Sequence, residues 1–169
     1  MNVVLCIAEA LLTAGYVVLH FVNVDWVAQK FDEATHRVHR LRLLRIHHPE
    51  LLRLAERIPV RRLAQESFTA QFKRGSFDSR GLVFLTEDAV MYWDLGQSTL
   101  LDPYVFRPGE ASAMLHRSEP YRRGEHIWVQ LEGHGSSRYL QCEEAPANEK
   151  TLVLFERIDA ILHKGGASA

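Results

Sequence analysis

The chain has 169 residues, of which 47% are hydrophobic and 24% charged, and its formal net charge is −1. This composition excludes a disordered chain, and the length favours one globular domain with an appendage over two domains. The net charge hides an asymmetry, because residues 36–62 carry eight arginines against two glutamates while the segments on either side are acidic. The middle of the chain is therefore the part that an anionic surface would attract. The two cysteines, Cys6 and Cys142, form no CxxC pair, so we predict neither a disulfide framework nor a thiolate metal site.

An apolar run opens the chain. Residues 3–24 include twelve Val, Leu, Ile or Phe residues, and Glu9 is the only acidic residue among them. A spanning helix needs about 20 mostly apolar residues, so the run is long enough to cross a bilayer. No basic residue precedes the run and no small-residue cleavage site follows it, which argues against a secretory signal. We predict a membrane anchor over residues 1–24; the alternative is an amphipathic helix that packs on a soluble core.

The polar residues of this run follow spacings of four and three, which places them on one face of a helix. They are Glu9, Thr13, Tyr16, His20 and Asn23. Ionisable groups inside a bilayer usually face a partner. The stripe therefore predicts an intramembrane partner face, used for self-association or for docking on another membrane subunit.

The arginines that follow set the predicted orientation of the anchor. Basic residues favour the cytoplasmic side, so the N-terminus is predicted outside and the C-terminal domain in the cytoplasm, as in a single-pass membrane protein. The arginines nearest the run are predicted to lie at the membrane surface, close to anionic headgroups. These are Arg37, Arg40, Arg42 and Arg45.

Residues 25–66 read as a basic juxtamembrane helical stalk. An apolar heptad-like spacing continues to Leu41, Pro49 ends the first helix, and a second short helix is predicted over residues 50–58 until Pro59 closes it. Four histidines crowd this segment, namely His36, His39, His47 and His48. No acidic or cysteine ligand stands at a recognised spacing, and the surrounding guanidinium groups would repel a divalent cation. We predict no metal and no other cofactor.

Beyond Gln65 the apolar period becomes strand-like, and turn residues separate short runs. The predicted strands are 68–73, 82–85, 89–93, 104–107, 113–116, 127–132 and 139–142. A terminal amphipathic helix follows, with Asn148 as its predicted N-cap and Gly165-Gly166 at its end. Its apolar stripe consists of Thr151, Leu154, Phe155, Ile158, Ile161 and Leu162. The predicted fold class is α+β, with a small antiparallel β-barrel or sandwich over residues 67–164 closed by a C-terminal helix, and a disordered tail over 165–169.

The stretch Gly81-Leu82-Val83-Phe84-Leu85-Thr86, followed by the apolar residues 89–93, is similar to a hairpin of GRAM-type and bacterial pleckstrin-homology-like domains. Residues 68–163 as a whole resemble that superfamily, in which a helix plugs one open end of a bent sheet. Its lipid-binding members hold headgroup phosphates with basic residues around the first hairpin loop. The resemblance implies an anionic-lipid site at Lys73, Arg74 and Arg80, extended by Arg122 and Arg123 in another loop. Asp78 interrupts this patch, and the alternative is a set of solvated loop charges.

The sequence contains no GxxxxGK[ST], GxGxxG, GxSxG or HExxH motif, so we predict that the protein is not an enzyme. The predicted function is a membrane-tethered adaptor, for example an accessory subunit of a membrane complex, that contacts a protein partner or an anionic lipid surface. The alternative is a soluble dimeric regulatory or nucleic-acid-associated protein with a basic helical arm. Leucines interrupt the basic face of that arm, which argues against nucleic acid as the partner.

Overall fold

The computed structural model describes residues 24–53, 56–70, 77–96, 100–118 and 124–164. The chain divides into two compact units, Met1–Val38 and His39–Ala169. In chain order the elements are α1 (Val24–His47), a 3-10 helix (Leu51–Arg53), β1 (Arg57–Ala64), α2 (Gln65–Ala70), β2 (Ser79–Leu85), β3 (Val90–Asp94), β4 (Tyr104–Phe106), β5 (Ser112–Ser118), β6 (His126–Gly133), β7 (Ser136–Cys142) and α3 (Ala147–His163). In the first unit the described residues belong to α1 alone.

The second unit is built on one antiparallel sheet with the strand order β4-β3-β2-β1-β7-β6-β5. β1 is its central strand, and Val60 is opposite Gly81 of β2 on one side and Cys142 of β7 on the other. The sheet curls into a half-barrel, as the right-handed twist of strands favours. Across the opening of the curl, Nε2 of His134 in the β6–β7 turn lies 2.8 Å from the Val105 carbonyl oxygen of β4.

Helix α3 closes the concave face of the half-barrel. Alternate residues of the strands point inward, among them Val83, Val129 and Leu140, and all three are fully buried. The helix contributes Leu154, Ile158, Ile161 and Leu162 to the same core. Each fully buried side chain of this size stabilises the fold by about 1.5–3 kcal/mol through removal of apolar surface from water.

The convex face carries two smaller apolar layers. The end of α1 packs over β2 and β3, where Leu44, Phe84 and Trp93 are fully buried. Helix α2 covers β1, β6 and β7, and its Phe68 ring stacks on Tyr139 with 3.7 Å between the ring centroids. Both faces of the sheet are therefore covered, which explains why several strands have long apolar runs in place of strict alternation.

The structure confirms the predicted α+β fold, an antiparallel sheet closed by a C-terminal helix. The hairpin predicted over residues 82–85 and 89–93 corresponds to β2 and β3, and the later predicted strands correspond to β4, β5, β6 and β7. The predicted N-cap is wrong: Pro146 occupies the cap position of α3. Asn148 instead accepts a hydrogen bond from the Ile127 backbone nitrogen at 3.0 Å and donates one to the Glu125 carbonyl at 2.7 Å, so it ties the helix to β6.

Two further predictions are wrong. The stalk helix predicted over residues 50–58 is absent, because the 3-10 helix ends at Arg53 and β1 begins at Arg57. The strand predicted over residues 68–73 is contradicted where it is described, since residues 65–70 form α2. In both segments, contact with neighbouring elements outweighs the local sequence pattern in determining the secondary structure. β1 pairs with two neighbouring strands, and α2 packs on the aromatic surface around Tyr139.

The predicted anchor, apart from Val24, and the predicted disordered tail lie outside the described residues. Among the residues that the structure describes, no helix is long and apolar enough to cross a membrane.

Candidate functional site

Most residues of the predicted anionic-lipid loop lie outside the described part of the chain, namely Lys73, Arg74, Arg122 and Arg123. Arg80 is described and lies on the convex face of β2. Its Nε atom is 2.8 Å from Glu143 Oε1 in an ion pair, and its guanidinium lies 5.5 Å from the Phe77 ring centroid. Arg80 therefore already has a carboxylate partner within the protein.

The four arginines predicted at the membrane surface fall into two environments. Arg37, Arg42 and Arg45 are exposed, as that prediction requires. Arg40 is only 3% exposed, because it points at the sheet. The proposed intramembrane face of Glu9, Thr13, Tyr16, His20 and Asn23 lies outside the described residues.

Arg40 and His48 hold the end of α1 to the sheet through Trp93. The Arg40 guanidinium lies 4.2 Å from the Trp93 ring centroid, and its nitrogens donate to the carbonyls of Asp94 and Leu100 at 2.9 and 2.5 Å. The His48 ring meets Trp93 edge-on, and its Nε2 lies 2.9 Å from the Leu101 carbonyl oxygen. Burial lowers the pKa of Arg40, with Asp94 opposing that shift. We call this contact the Trp93 clamp.

A group of polar side chains occupies the concave face at the end where β1 leads into α2 and β3 leads towards β4. It consists of Arg62, Ser79, Tyr92, Asp94, Tyr104 and Arg138, and we call it the inner arginine cluster. Arg62 Nη1 lies 3.4 Å from Asp94 Oδ2, while the other Asp94 oxygen accepts a hydrogen bond of 2.7 Å from the Gly96 nitrogen. Asp94 is therefore shared between one arginine and the backbone.

Arg138 has no acidic partner in this cluster. Its guanidinium lies 3.8 Å from the Tyr104 ring centroid and 5.8 Å from that of Phe106. The side chain is only 6% exposed, yet its Nε and Nη1 atoms have no hydrogen-bond acceptor. A buried cation without an acceptor is costly, so this is the feature of the described residues that most needs an explanation.

Tyr92 lies at the centre of the cluster. Burial raises the pKa of its hydroxyl strongly and Asp94 raises it further, while Arg62, Ser79 and Arg138 act in the opposite direction. Ser79 is thus close to Tyr92, but neither hydroxyl has a hydrogen-bond partner of normal geometry. The cluster therefore holds two cations, one carboxylate and three hydroxyls, of which those of Ser79 and Tyr92 are buried without a hydrogen-bond partner.

A separate groove runs between the start of β1 and the first turns of α3. It has a volume of about 510 Å³ and an apolar floor that includes Ile58, Pro59 and Leu154. Its rim contains two ion pairs, one between Glu56 and Arg157 and one between Lys150 and Glu144, the latter at 2.5 Å. These four rim charges are already paired, while the charged residues Arg57 and Glu149 also line the groove.

The histidines do not form a metal centre in the described part of the chain, where no group of three or more metal-ligating side chains occurs. His36 lies 3.4 Å from Asp32, one turn away on α1, and His48 belongs to the Trp93 clamp. Cys142 is buried beneath α3, and burial raises the pKa of its thiol. That position protects the thiol from reaction.

Arg62 and Arg138 were not among the residues singled out from the sequence. Each lies at an inward position of its strand, in line with Val60 and with Leu140 respectively. The sequence signal for each was its spacing: the arginine stands two residues from an apolar residue on the buried face of the strand, so it must point to the same face. For Arg62 that signal was missed because no strand was predicted within the stalk of residues 25–66, and for Arg138 the predicted strand began one residue too late.

Comparison with known proteins gives no relative: no family model, curated protein or solved structure matches this chain.

Proposed function

We propose that the chain is a membrane-tethered, non-enzymatic adaptor whose second unit is a pleckstrin-homology-like binding domain. The strand order β4-β3-β2-β1-β7-β6-β5, with a terminal helix over the concave face, supports this likeness because such domains have a bent sheet plugged by a helix. In this proposal residues 3–24 anchor the chain with the N-terminus outside. The domain then lies on the cytoplasmic side.

The observation that carries the proposal is that the end of α1 belongs to the domain. The Trp93 clamp and the buried Leu44 fix residues 39–47 on the sheet, and Arg42 and Arg45 remain exposed on that segment. In this proposal these two arginines, both in the second unit, are the residues that contact the membrane surface. Near an anionic leaflet, each would contribute about 1 kcal/mol to the attraction.

The first test addresses the tether. The full chain is expressed, and the membranes are extracted with alkaline carbonate. We expect the protein to stay in the membrane pellet, because a spanning helix resists this treatment. Release into the supernatant would contradict the proposed membrane tether. Co-purification of the released protein with nucleic acid would support the soluble alternative.

The second test addresses the lipid surface. The full chain is reconstituted into nanodiscs of neutral phosphatidylcholine or of a mixture with anionic phosphatidylglycerol, and amide hydrogen exchange is measured over residues 39–53. We expect slower exchange in the anionic discs, and we expect the double variant Arg42→Gln/Arg45→Gln to lose the difference. The matched control is Arg57→Gln/Arg107→Gln, which removes the same charge from two other exposed positions. Equal exchange in both lipids would contradict contact of this segment with an anionic surface.

A further inference from the structure

We propose that the inner arginine cluster is a binding site for a single carboxylate group supplied by a ligand. This goes beyond the membrane contact proposed above, because it uses the concave face of the sheet and not the exposed arginines of α1. The starting point is a charge imbalance: Arg62 and Arg138 face one carboxylate, Asp94, inside the half-barrel. One positive charge is left over where water has little access, and such a charge needs an anion or strong acceptors.

Arg138 provides the geometry for that anion. Its guanidinium carbon lies over the Tyr104 ring, 3.8 Å from the ring centroid, and this contact restricts the directions of its N–H groups before a ligand arrives. The unpaired Nε and Nη1 atoms lie on either side of Nη2, and each forms with Nη2 an edge of the guanidinium that can donate two parallel hydrogen bonds. Two parallel donors match the two oxygens of a carboxylate.

The chain's own acidic residues near this end are already engaged. Asp94 binds the Gly96 nitrogen and Arg62, and Asp78 accepts a hydrogen bond of 2.7 Å from the Ala64 nitrogen. Residues 71–76 and 97–99, which adjoin this end along the chain, contain no aspartate or glutamate at all. Among the described residues at this end and the two adjoining segments, no carboxylate is left to balance Arg138, and an external anion can fill that role.

The single surplus positive charge of the cluster indicates which class of anion it would bind. A single unbalanced positive charge is matched by a monoanion, whereas a phosphate dianion would leave excess negative charge in a desolvated site. The hydroxyls of Ser79 and Tyr92 are additional donors beside the arginines. Arg62, with a side chain 23% exposed, marks the side from which a ligand can enter. An acidic side chain or a C-terminal carboxylate of a partner protein has this chemistry.

The test uses the full chain in neutral nanodiscs and small anions as probes. Sodium acetate, sodium dimethyl phosphate, sodium phosphate and sodium chloride are compared at equal ionic strength. The readouts are the side-chain Nε–Hε resonance of Arg138 and the thermal midpoint. We expect acetate to shift the resonance saturably and to raise the midpoint above that in chloride, because a ligand that binds only the folded state stabilises it. Dimethyl phosphate represents a lipid phosphodiester, and a response to it or to phosphate equal to the acetate response would overturn the carboxylate assignment.

Three variants locate the effect. Arg138→Lys keeps the charge but removes the planar pair of donors, and it should weaken acetate binding about tenfold or more. Arg62→Gln removes the surplus charge at a partly exposed position and should also abolish most of the acetate effect. Arg80→Gln is the matched control on the convex face and should leave the acetate response unchanged.

The outcomes of this test are independent of the tests of the proposed membrane function. If Arg138→Lys does not fold, the wild-type resonance and Arg62→Gln decide by themselves. An acetate response that persists in Arg62→Gln, or no acetate response in the wild type, would overturn the site. Neither result bears on carbonate extraction or on exchange in anionic nanodiscs, so the membrane proposal stands or fails separately.

Discussion

At the scale of single residues, the arginines of this chain differ far more in environment than their shared charge indicates. Arg40 is buried against Trp93 and donates to two backbone carbonyls, whereas Arg42, two positions further on the same helix, is exposed. Hydrogen bonds from a charged donor to buried acceptors are among the stronger interactions in a fold, while exposed charges contribute little. Arg40 therefore holds α1 to the sheet, and Arg42 is available to an external partner.

This difference gives a paired prediction. Arg40→Met should lower the free energy of unfolding by about 2–4 kcal/mol, because it removes the stacking on Trp93 and leaves two carbonyls without their donor. Arg42→Met on the same helix should change it by no more than about 0.5 kcal/mol. Urea denaturation followed by Trp fluorescence measures both. Equal effects of the two substitutions would contradict the assignment of Arg40 to the Trp93 clamp.

Gly81 is a second residue whose role follows from one contact. A β-carbon at this position would lie 2.2 Å from Cε2 of Tyr92, because the Tyr92 ring lies against the β2 backbone there. Tyr92 is fully buried and cannot move aside, so Gly81→Ala should destabilise the protein by about 1–3 kcal/mol. The control is Gly133→Ala, where the nearest atom is Phe106 Cδ1 at 3.0 Å and a small shift of that ring suffices. A Gly81→Ala protein as stable as Gly133→Ala in chemical denaturation would show that the Tyr92 ring can relocate.

At the scale of elements, an ion pair joins the start of β1 to α3. The pair is formed by Glu56 and Arg157, whose side chains are 51% and 40% exposed. The hydrogen bond from Arg157 lowers the pKa of Glu56 below its usual 4.5, against the opposing effect of partial burial. A carboxyl group with a lowered pKa in the folded state stabilises the fold above its unfolded pKa, and that contribution disappears as the pH falls through the folded value.

Glu56→Gln should therefore cost no more than about 1 kcal/mol at pH 7, because solvent screens an exposed pair. The difference from wild type should shrink as the pH falls below 4.5 and should vanish below the lowered pKa of the folded protein, where the wild-type carboxyl is neutral too. Urea titrations at pH 7 and in that acid range measure the change, with Glu87→Gln in the exposed β2–β3 turn as the control. A difference that persists unchanged in acid would mean that the glutamine disturbs the structure by another route.

The elements also show where sequence patterns suffice and where they fail. The hairpin of β2 and β3 and the stripe of α3 are visible in the sequence because apolar side chains recur at the period of the element. β1 was missed because its apolar residues are interrupted by three arginines and one proline, namely Arg57, Pro59, Arg61 and Arg62. Pro59 is paired with Leu82 of β2, but the register with β7 begins only at Val60↔Cys142. On the β7 side Pro59 contributes only its carbonyl, which accepts a hydrogen bond of 3.0 Å from the Glu143 nitrogen. Only the fold shows that Arg62 and Arg138 share the concave face, since they lie far apart in the chain.

At the scale of the whole molecule, the concave core consists of side chains from the central strands and from α3, and Cys142 belongs to that core. The Cys142 backbone nitrogen donates to Thr151 Oγ1 of α3 at 3.0 Å, and the thiol belongs to the same core as Ile158. Burial raises the pKa of this thiol, so the reactive thiolate is scarce in the folded state. Cys142 also lines the groove between β1 and α3, but it is only 3% exposed, so its modification requires the groove to widen as α3 moves away from the sheet.

The rate of Cys142 modification should accordingly report the stability of the whole second unit. In a Cys6→Ser background, Ile158→Ala removes a fully buried side chain and should destabilise the fold by about 2–4 kcal/mol. Because each 1.4 kcal/mol corresponds to about tenfold in the open population, maleimide labelling of Cys142 should accelerate about 30-fold or more. Val153→Ala on the same helix, at a side chain 54% exposed, should leave the rate nearly unchanged. Rapid labelling of Cys142 before any substitution, or equal rates in the two variants, would mean that α3 opens independently of the sheet and is not the element that closes the half-barrel.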